Sequence, residues 1–213
     1  MATLQSLLID ANSFLDLSAE LPVGDELLTR VNYANQAVKD AAAVGQFPEF
    51  SAIYAVNPSA LASISLPSNF REFETSPQQV DSNGIYIQFD AIKPSEVHTK
   101  DTADKFCYVL GNPYVGYTAV FNGLTANATV SFNYQRFPSG MATLADMCEL
   151  SDPQYVVTKI ESYVLQARSD DRFPLIEADA QRRLQNMLGR SGKIMPNETR
   201  KRGSASYNSG YNA

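Results

Sequence analysis

The 213-residue chain has no tryptophan, a single histidine (His98) and only two cysteines (Cys107 and Cys148). Each scarcity removes a class of chemistry. Two thiols cannot staple a disulfide-dense scaffold or fill a four-cysteine zinc site. One imidazole excludes any mechanism or metal site that draws two histidines from one chain. There is no run of about 18 apolar residues, so no membrane-spanning helix and no membrane role are expected. The N-terminus, MATLQSLLID, lacks the basic start and long apolar stretch of a secretory signal, so an intracellular, soluble product is expected. The sequence contains no G-x-G-x-x-G or G-x-x-x-x-G-K-[ST] loop, no G-x-S-x-G elbow and no H-E-x-x-H pair.

What is present is enough for a packed core. The composition is 44% hydrophobic and 19% charged, which excludes wholesale disorder. Net charge is −6 and unevenly spread. Residues 190–213 hold five basic residues and one acidic residue, a net of +4, which leaves −10 on residues 1–189. An acidic body with a basic tail is a poor general nucleic-acid coat, because phosphate binding needs clustered Lys and Arg. The tail can still meet an acidic protein wall.

Apolar periodicity predicts a first helix over residues 3–17, with Leu4, Leu7, Leu8, Ala11, Phe14 and Leu15 on one face. A second helix is expected from Asp25, read as its N-cap, to about Val44. Its apolar face is Leu27, Leu28, Val31, Ala34, Val38, Ala41 and Ala42, and Gly45 stops it. From Phe50 the period changes to two. Ile85–Phe89 follows the turn sequence Asp81–Gly84, Phe106–Leu110 ends at Gly111-Asn112-Pro113, and Tyr114–Phe121 ends at Asn122-Gly123. Along Thr129–Phe137, Val130, Phe132 and Tyr134 face one way and Ser131, Asn133 and Gln135 the other. Short strands between Gly, Pro and Asn turns indicate a small antiparallel sandwich or barrel. Helix returns at Asp152-Pro153 with Val156, Val157, Ile160, Tyr163, Val164 and Ala167 as its stripe. A last helix is expected over Leu175–Leu188, with Ile176, Ala180, Leu184, Met187 and Leu188 inward and Gly189 as its stop.

The fold class expected is therefore α+β, with an N-terminal helix and a C-terminal helical hairpin packed on a small β domain, and a flexible tail. The segments are 1–24 (leading helix), 25–48 (long helix), 49–148 (β domain), 149–189 (helical hairpin) and 190–213 (basic tail). The tail has almost no apolar periodicity and should order only on a partner. Arg190, Lys193, Ile194, Met195, Arg200, Lys201, Arg202, Tyr207 and Tyr211 are its candidate partner-binding residues, the tyrosines as anchors and the cations as charge partners.

No enzyme declares itself, and neither cofactor nor metal is expected. His98 lies in a polar stretch and reads as a surface residue. Cys107 reads as a small core residue, and the acidic neighbours Asp146 and Glu149 raise the Cys148 thiol pKa rather than activate it. The pairs Asp101/Asp104 and Asp170/Asp171 each sit beside cations in loops, the pattern of solvated turns.

Several segments resemble tailed-phage head-to-tail connector proteins, the neck adaptors of the tail-tubular-protein-A type. Leu28–Ala43 (LTRVNYANQAVKDAAA) is similar to the family's first long helix, and Phe47-Pro48-Glu49-Phe50 to the aromatic bend after it. Leu66-Pro67-Ser68-Asn69-Phe70 resembles a strand entry in which aspartate is usual at the place of Asn69. Ala91–Glu96, Tyr134–Pro138, Leu144-Ala145-Asp146, Ala167–Asp171 and Ala178–Gly189 resemble later segments in the same order. The likeness covers roughly residues 25–189. Relatives often carry a tryptophan after the first helix, which this chain lacks, and residues 1–24 have no clear counterpart.

The resemblance implies a virion protein that forms a ring, commonly of twelve copies, at the neck between capsid and tail. Its partners would be the portal protein, a tail tube, nozzle or stopper protein, and its own copies. DNA would pass through the central channel without specific binding. The charge fits, since an acidic wall repels phosphate. Two other readings stand beside it: a tail or baseplate β domain that binds carbohydrate or protein, using Tyr114 and Tyr117, and a small hydrolase using Asp170 or Asp171.

Overall fold

Thr3 starts the first helix by accepting the Ser6 amide at 3.2 Å through its hydroxyl, and α1 runs Leu4–Leu15. Two more first-turn amides, of Leu4 and Gln5, donate to the carbonyls of Asp146 (2.8 Å) and Leu144 (3.0 Å), so a distant loop caps this helix. The computed structural model describes residues 2–16, 18–58, 62–80, 84–125 and 128–194, with the backbone alone for 191–194. The chain is α+β, with helices and two mostly antiparallel sheets.

Helix α2 spans Asp25–Val44, with Gly24 rather than Asp25 at the N-cap; Asp25 and Glu26 fill the first turn, where the helix dipole favours negative charge. Its inner face is Ala34, Ala37, Val38, Ala41 and Ala42, and Leu28, expected inside, is exposed. Alanines let α2 approach closely. Helix α3 (Pro153–Ala167) begins as expected, with Asp152 accepting the Gln154 amide at 3.1 Å and Pro153 in the first turn.

The one-sided stripe expected of α3 is a correction. Every residue from Tyr155 to Ser162 is buried, and Ala167 is exposed. α3 is the hub on which α1, α2 and α4 (Phe173–Ile194) all pack. Its polar residues mislead a pattern reading because they are satisfied internally. Lys159 Nζ pairs with both Glu177 oxygens (3.0 and 2.9 Å), Ser162 donates to Glu177 at 2.6 Å, and the Tyr163 hydroxyl donates to Asp40. Between α3 and α4 the chain turns on Ser169, whose φ of 53° places a non-glycine residue in the left-handed region.

The sheets lie between α2 and α3 in sequence. One contains β1 (Ser51–Val56), β3 (Phe70–Phe73), β4 (Gln78–Val80), β5 (Tyr86–Gln88) and β9 (Val130–Arg136). β9 is central, pairing antiparallel with β1 in the register Ser51↔Gln135 on one side and with β3 and β4 on the other. The second sheet runs β2 (Ser63–Ser65), β8 (Gly116–Phe121), β7 (Phe106–Asn112) and β6 (Asp90–Ala91), with β6 and β7 parallel. The turn sequence expected at Asp81–Asn83 lies outside the described residues.

Two hydrophobic clusters result. Inward residues of both sheets, among them Ile64, Phe70, Cys107, Phe121, Val130, Phe132 and Tyr134, form one. The helices form the other with Phe47, Phe50, Met141, Cys148 and Leu150. Polar groups join the two. Gln135, expected on a wet face, is fully buried and accepts the Phe47 amide at 3.2 Å. Arg136 donates to the Glu49 carbonyl (3.2 Å) and the Glu149 carboxylate (3.0 Å). Arg71 of β3 donates to the carbonyls of Ala42 and Gly45, supplying from another element the cation that the last turn of α2 lacks.

Candidate functional site

Of the tail residues singled out in the sequence, the structure describes three. Arg190 is exposed on α4, and Lys193 and Ile194 lie in its last turn, where only the backbone is described. The helix therefore continues five residues past its expected stop at Gly189. Met195, Arg200, Lys201, Arg202, Tyr207 and Tyr211 lie outside the described residues. The helix that carries this segment is held close to α2: a Cβ added at Gly45 would lie 2.3 Å from a Leu188 methyl.

Beside the end of α2 is a cleft of about 490 Å³. Ala42 and Ala43 of α2 and Phe137 and Pro138 after β9 make its apolar walls, and Lys39 and Arg71 its charged rim. Glu72 pairs with Arg71 at 2.7 Å, so exposed Lys39 carries the net positive charge of the rim. Phe137 is 41% exposed and Val44, next along α2, 57% exposed. The cleft exists because two elements diverge: α2 ends at Gly45, while β9 leaves its sheet at Phe137-Pro138.

A second exposed apolar feature is the turn between β7 and β8. Tyr114, expected within a strand, is 97% exposed, and Val115 is 78% exposed. The turn is nevertheless fixed. Asn112 Oδ1 accepts the amides of Tyr114 (2.9 Å) and Val115 (3.2 Å). Gly111 has φ 107° and a Cβ there would lie 2.0 Å from the Gly116 carbonyl oxygen, so only glycine fits. Tyr117 is half-buried and packs edge-on against Phe70 at 5.9 Å, so the two tyrosines do not form one platform.

The groups weighed for catalysis are dispersed. His98 is exposed in a 3₁₀ turn over Pro94–Thr99. Burial, with a contribution from Asp90, pushes the Cys107 thiol up to about 12, and burial first, then Glu149 and Asp152, raises that of Cys148. Asp101 and Asp104 lie in an exposed turn, the Asp101 amide donating to Asp104 at 3.0 Å. Both oxygens of Asp170 accept from Arg172 (3.0 and 2.9 Å), which holds its carboxyl down at about 2. Among the described residues no three His, Cys, Asp or Glu side chains are grouped to hold a metal ion, and no helix is long and apolar enough to cross a membrane.

A third cluster ties the helices at the opposite end of α2. Arg30, with no exposed surface, donates to Asn12 Oδ1 (2.6 Å), Asp16 (2.6 Å) and Glu26, and Arg168 reaches Asp16 at 2.9 Å. The Glu26–Arg30 spacing of four was its available sequence signal. The cleft and the turn had weaker ones, a Phe-Pro pair after a strand and an Asn-Pro-Tyr-Val-Gly run. No protein-family model matches the chain, and no curated protein matches it.

Proposed function

We propose that this chain is a head-to-tail connector of a phage virion, a ring-forming adaptor between the portal and the tail with a central channel for DNA. The observation that carries the reading is the order of elements. Long helix α2, a β region, then the helical pair α3 and α4 and a basic C-terminal segment follow one another as the resembling segments do. In this reading the β region is a small sandwich, the helices pack against it, and the basic C-terminal segment docks on the portal or a neighbouring copy. The acidic remainder of the chain lines or approaches the channel and lets DNA slide by repelling phosphate.

A passive adaptor has little need of a reactive centre, and the dispersed carboxylates and the buried, high-pKa thiols sit comfortably with that. The hydrolase reading is disfavoured because Asp170 is neutralised by Arg172 and holds no perturbed upward pKa. The binding-module reading has one exposed tyrosine in its support, Tyr114, but not the pair it called for.

Native mass spectrometry of the purified chain mixed with the portal ring of the same phage tests the proposal. The expected product is a portal carrying a full symmetric complement of this chain. A portal ring that stays bare under these conditions contradicts it.

A further inference from the structure

We infer that the Tyr114–Val115 tip of the β7–β8 hairpin seats in the cleft beside α2 of a second copy of this chain. The inference rests on the ring-forming reading and names the contact that builds the ring.

Both halves of the contact are on this one chain. The tip is a rigid projection: two Asn112-accepted amides and two positive-φ glycines, Gly111 and Gly116, fix it, so little ordering entropy is lost when it docks. Its near-complete exposure shows that it does not occupy the cleft of its own chain. A tyrosine held out in this way is the residue type that most often dominates an interface. The cleft is the matching half. Its volume, about 490 Å³, lies in the range of pockets that enclose compact ligands, with room for an aromatic and an aliphatic side chain together. Its walls offer alanine methyls, a half-exposed phenylalanine and a proline, while exposed Lys39 can meet the electron-rich face of a tyrosine ring.

Charge selects this occupant over the other available one. The tail of the chain is cationic, with five Lys and Arg from Arg190 to Arg202. The rim of the cleft, where Glu72 neutralises Arg71, keeps the positive charge of Lys39 and repels the tail. The hairpin turn, Asn112-Pro113-Tyr114-Val115-Gly116, carries no charge. Tip and cleft share no residue, so one copy can engage a different neighbour through each, head-to-tail. Repeated from copy to copy, such a contact generates a ring when its rotation closes.

The test places a photoreactive benzoylphenylalanine at position 114 of the full chain and maps its cross-links over a concentration series up to the solubility limit. The expected product joins position 114 of one copy to residues 39–43 or 137–138 of another. It should disappear when the acceptor copies carry Ala43→Trp. Tyr114→Asp and Ala43→Trp should each weaken self-association about tenfold or more while thermal melts stay unchanged. A mixture of the two variants, which retains one intact tip and one intact cleft, should recover a dimer and nothing larger. Cross-links to residues 195–213 or to another face, or no intermolecular product at the solubility limit, would overturn the contact. A chain that still loads symmetrically on the portal while its tip cross-links elsewhere would sink this inference and leave the adaptor reading standing.

Discussion

At Arg30 a guanidinium without exposed surface faces Asn12, Asp16 and Glu26, and its removal leaves two carboxylates without their buried counter-charge. Both carboxylates are partly solvated, which discounts the cost below that of a fully buried pair. Arg30→Ala should lower stability by about 2 kcal/mol in urea unfolding. Arg30→Lys should fail to restore it, because a single ammonium cannot span three acceptors on two elements. A loss within about 0.5 kcal/mol of wild type, the range of ordinary surface substitutions, would contradict this role. Glu161, buried in α3, makes the complementary prediction. Burial is the main cause that holds its carboxyl up to about 7, Asp179 and Asp10 add to the rise, and Arg183 opposes it. The folded chain therefore binds this proton more tightly than the unfolded chain, whose glutamates titrate near 4.3. Stability from this group is full below about pH 4 and is lost as pH rises through about 7. Glu161→Gln should raise Tm most at pH 8, clearly less at pH 5, and hardly at all below about pH 4. The gain has an upper bound of about 4 kcal/mol. An equal shift at all pH values would show that the carboxyl is not the cause.

Among the elements, α3 and α2 show what composition hides. Ile160 lies at the centre of the helical hub, whereas Leu28, which fits the apolar repeat of α2 equally well, is exposed. Ile160→Ala should cost about 2–5 kcal/mol in urea unfolding, and Leu28→Ala less than about 0.5 kcal/mol. Similar losses for the two would contradict the hub. The existence and order of the four helices were legible, because repeats of three and four residues and the Asp152-Pro153 start are local signals. The central strand was legible for the same reason, its alternation over Thr129–Phe137 matching β9 within one residue at each end. What was not legible depends on partners far away in sequence. Gln135 is buried because Phe47 donates to it, Lys159 because Glu177 reaches it, and Tyr114 is exposed because the strand starts only at Gly116. The last helix outruns Gly189 because glycine lowers helix propensity by only about 1 kcal/mol, too little to act as a stop unless the chain there turns left-handed. Of the candidate site, the sequence pointed to the basic C-terminal segment by composition alone. The cleft is made by the meeting of α2, β3 and the exit of β9, and no one stretch of sequence contains it.

Over the whole molecule, the chain keeps its helical and β clusters separate and joins them through Gln135, Arg136 and Arg71. In the proposed connector role, such a division would let one part hold a portal and the other a tail component, with the C-terminal segment leaving from the helical part. Ending the chain at Ile194 should leave the melting curve unchanged and remove portal loading in native mass spectrometry. Retained loading would take the docking role away from Met195, Arg200, Lys201, Arg202, Tyr207 and Tyr211. The most direct measurement is a reconstruction of the intact virion that the connector proposal assigns this chain to, with the chain traced in its density. The account predicts a symmetric ring of this chain at the vertex where capsid and tail meet, enclosing the DNA path. Tracing it to a fibre, a baseplate or the capsid shell, or finding no copy in the particle, would contradict it.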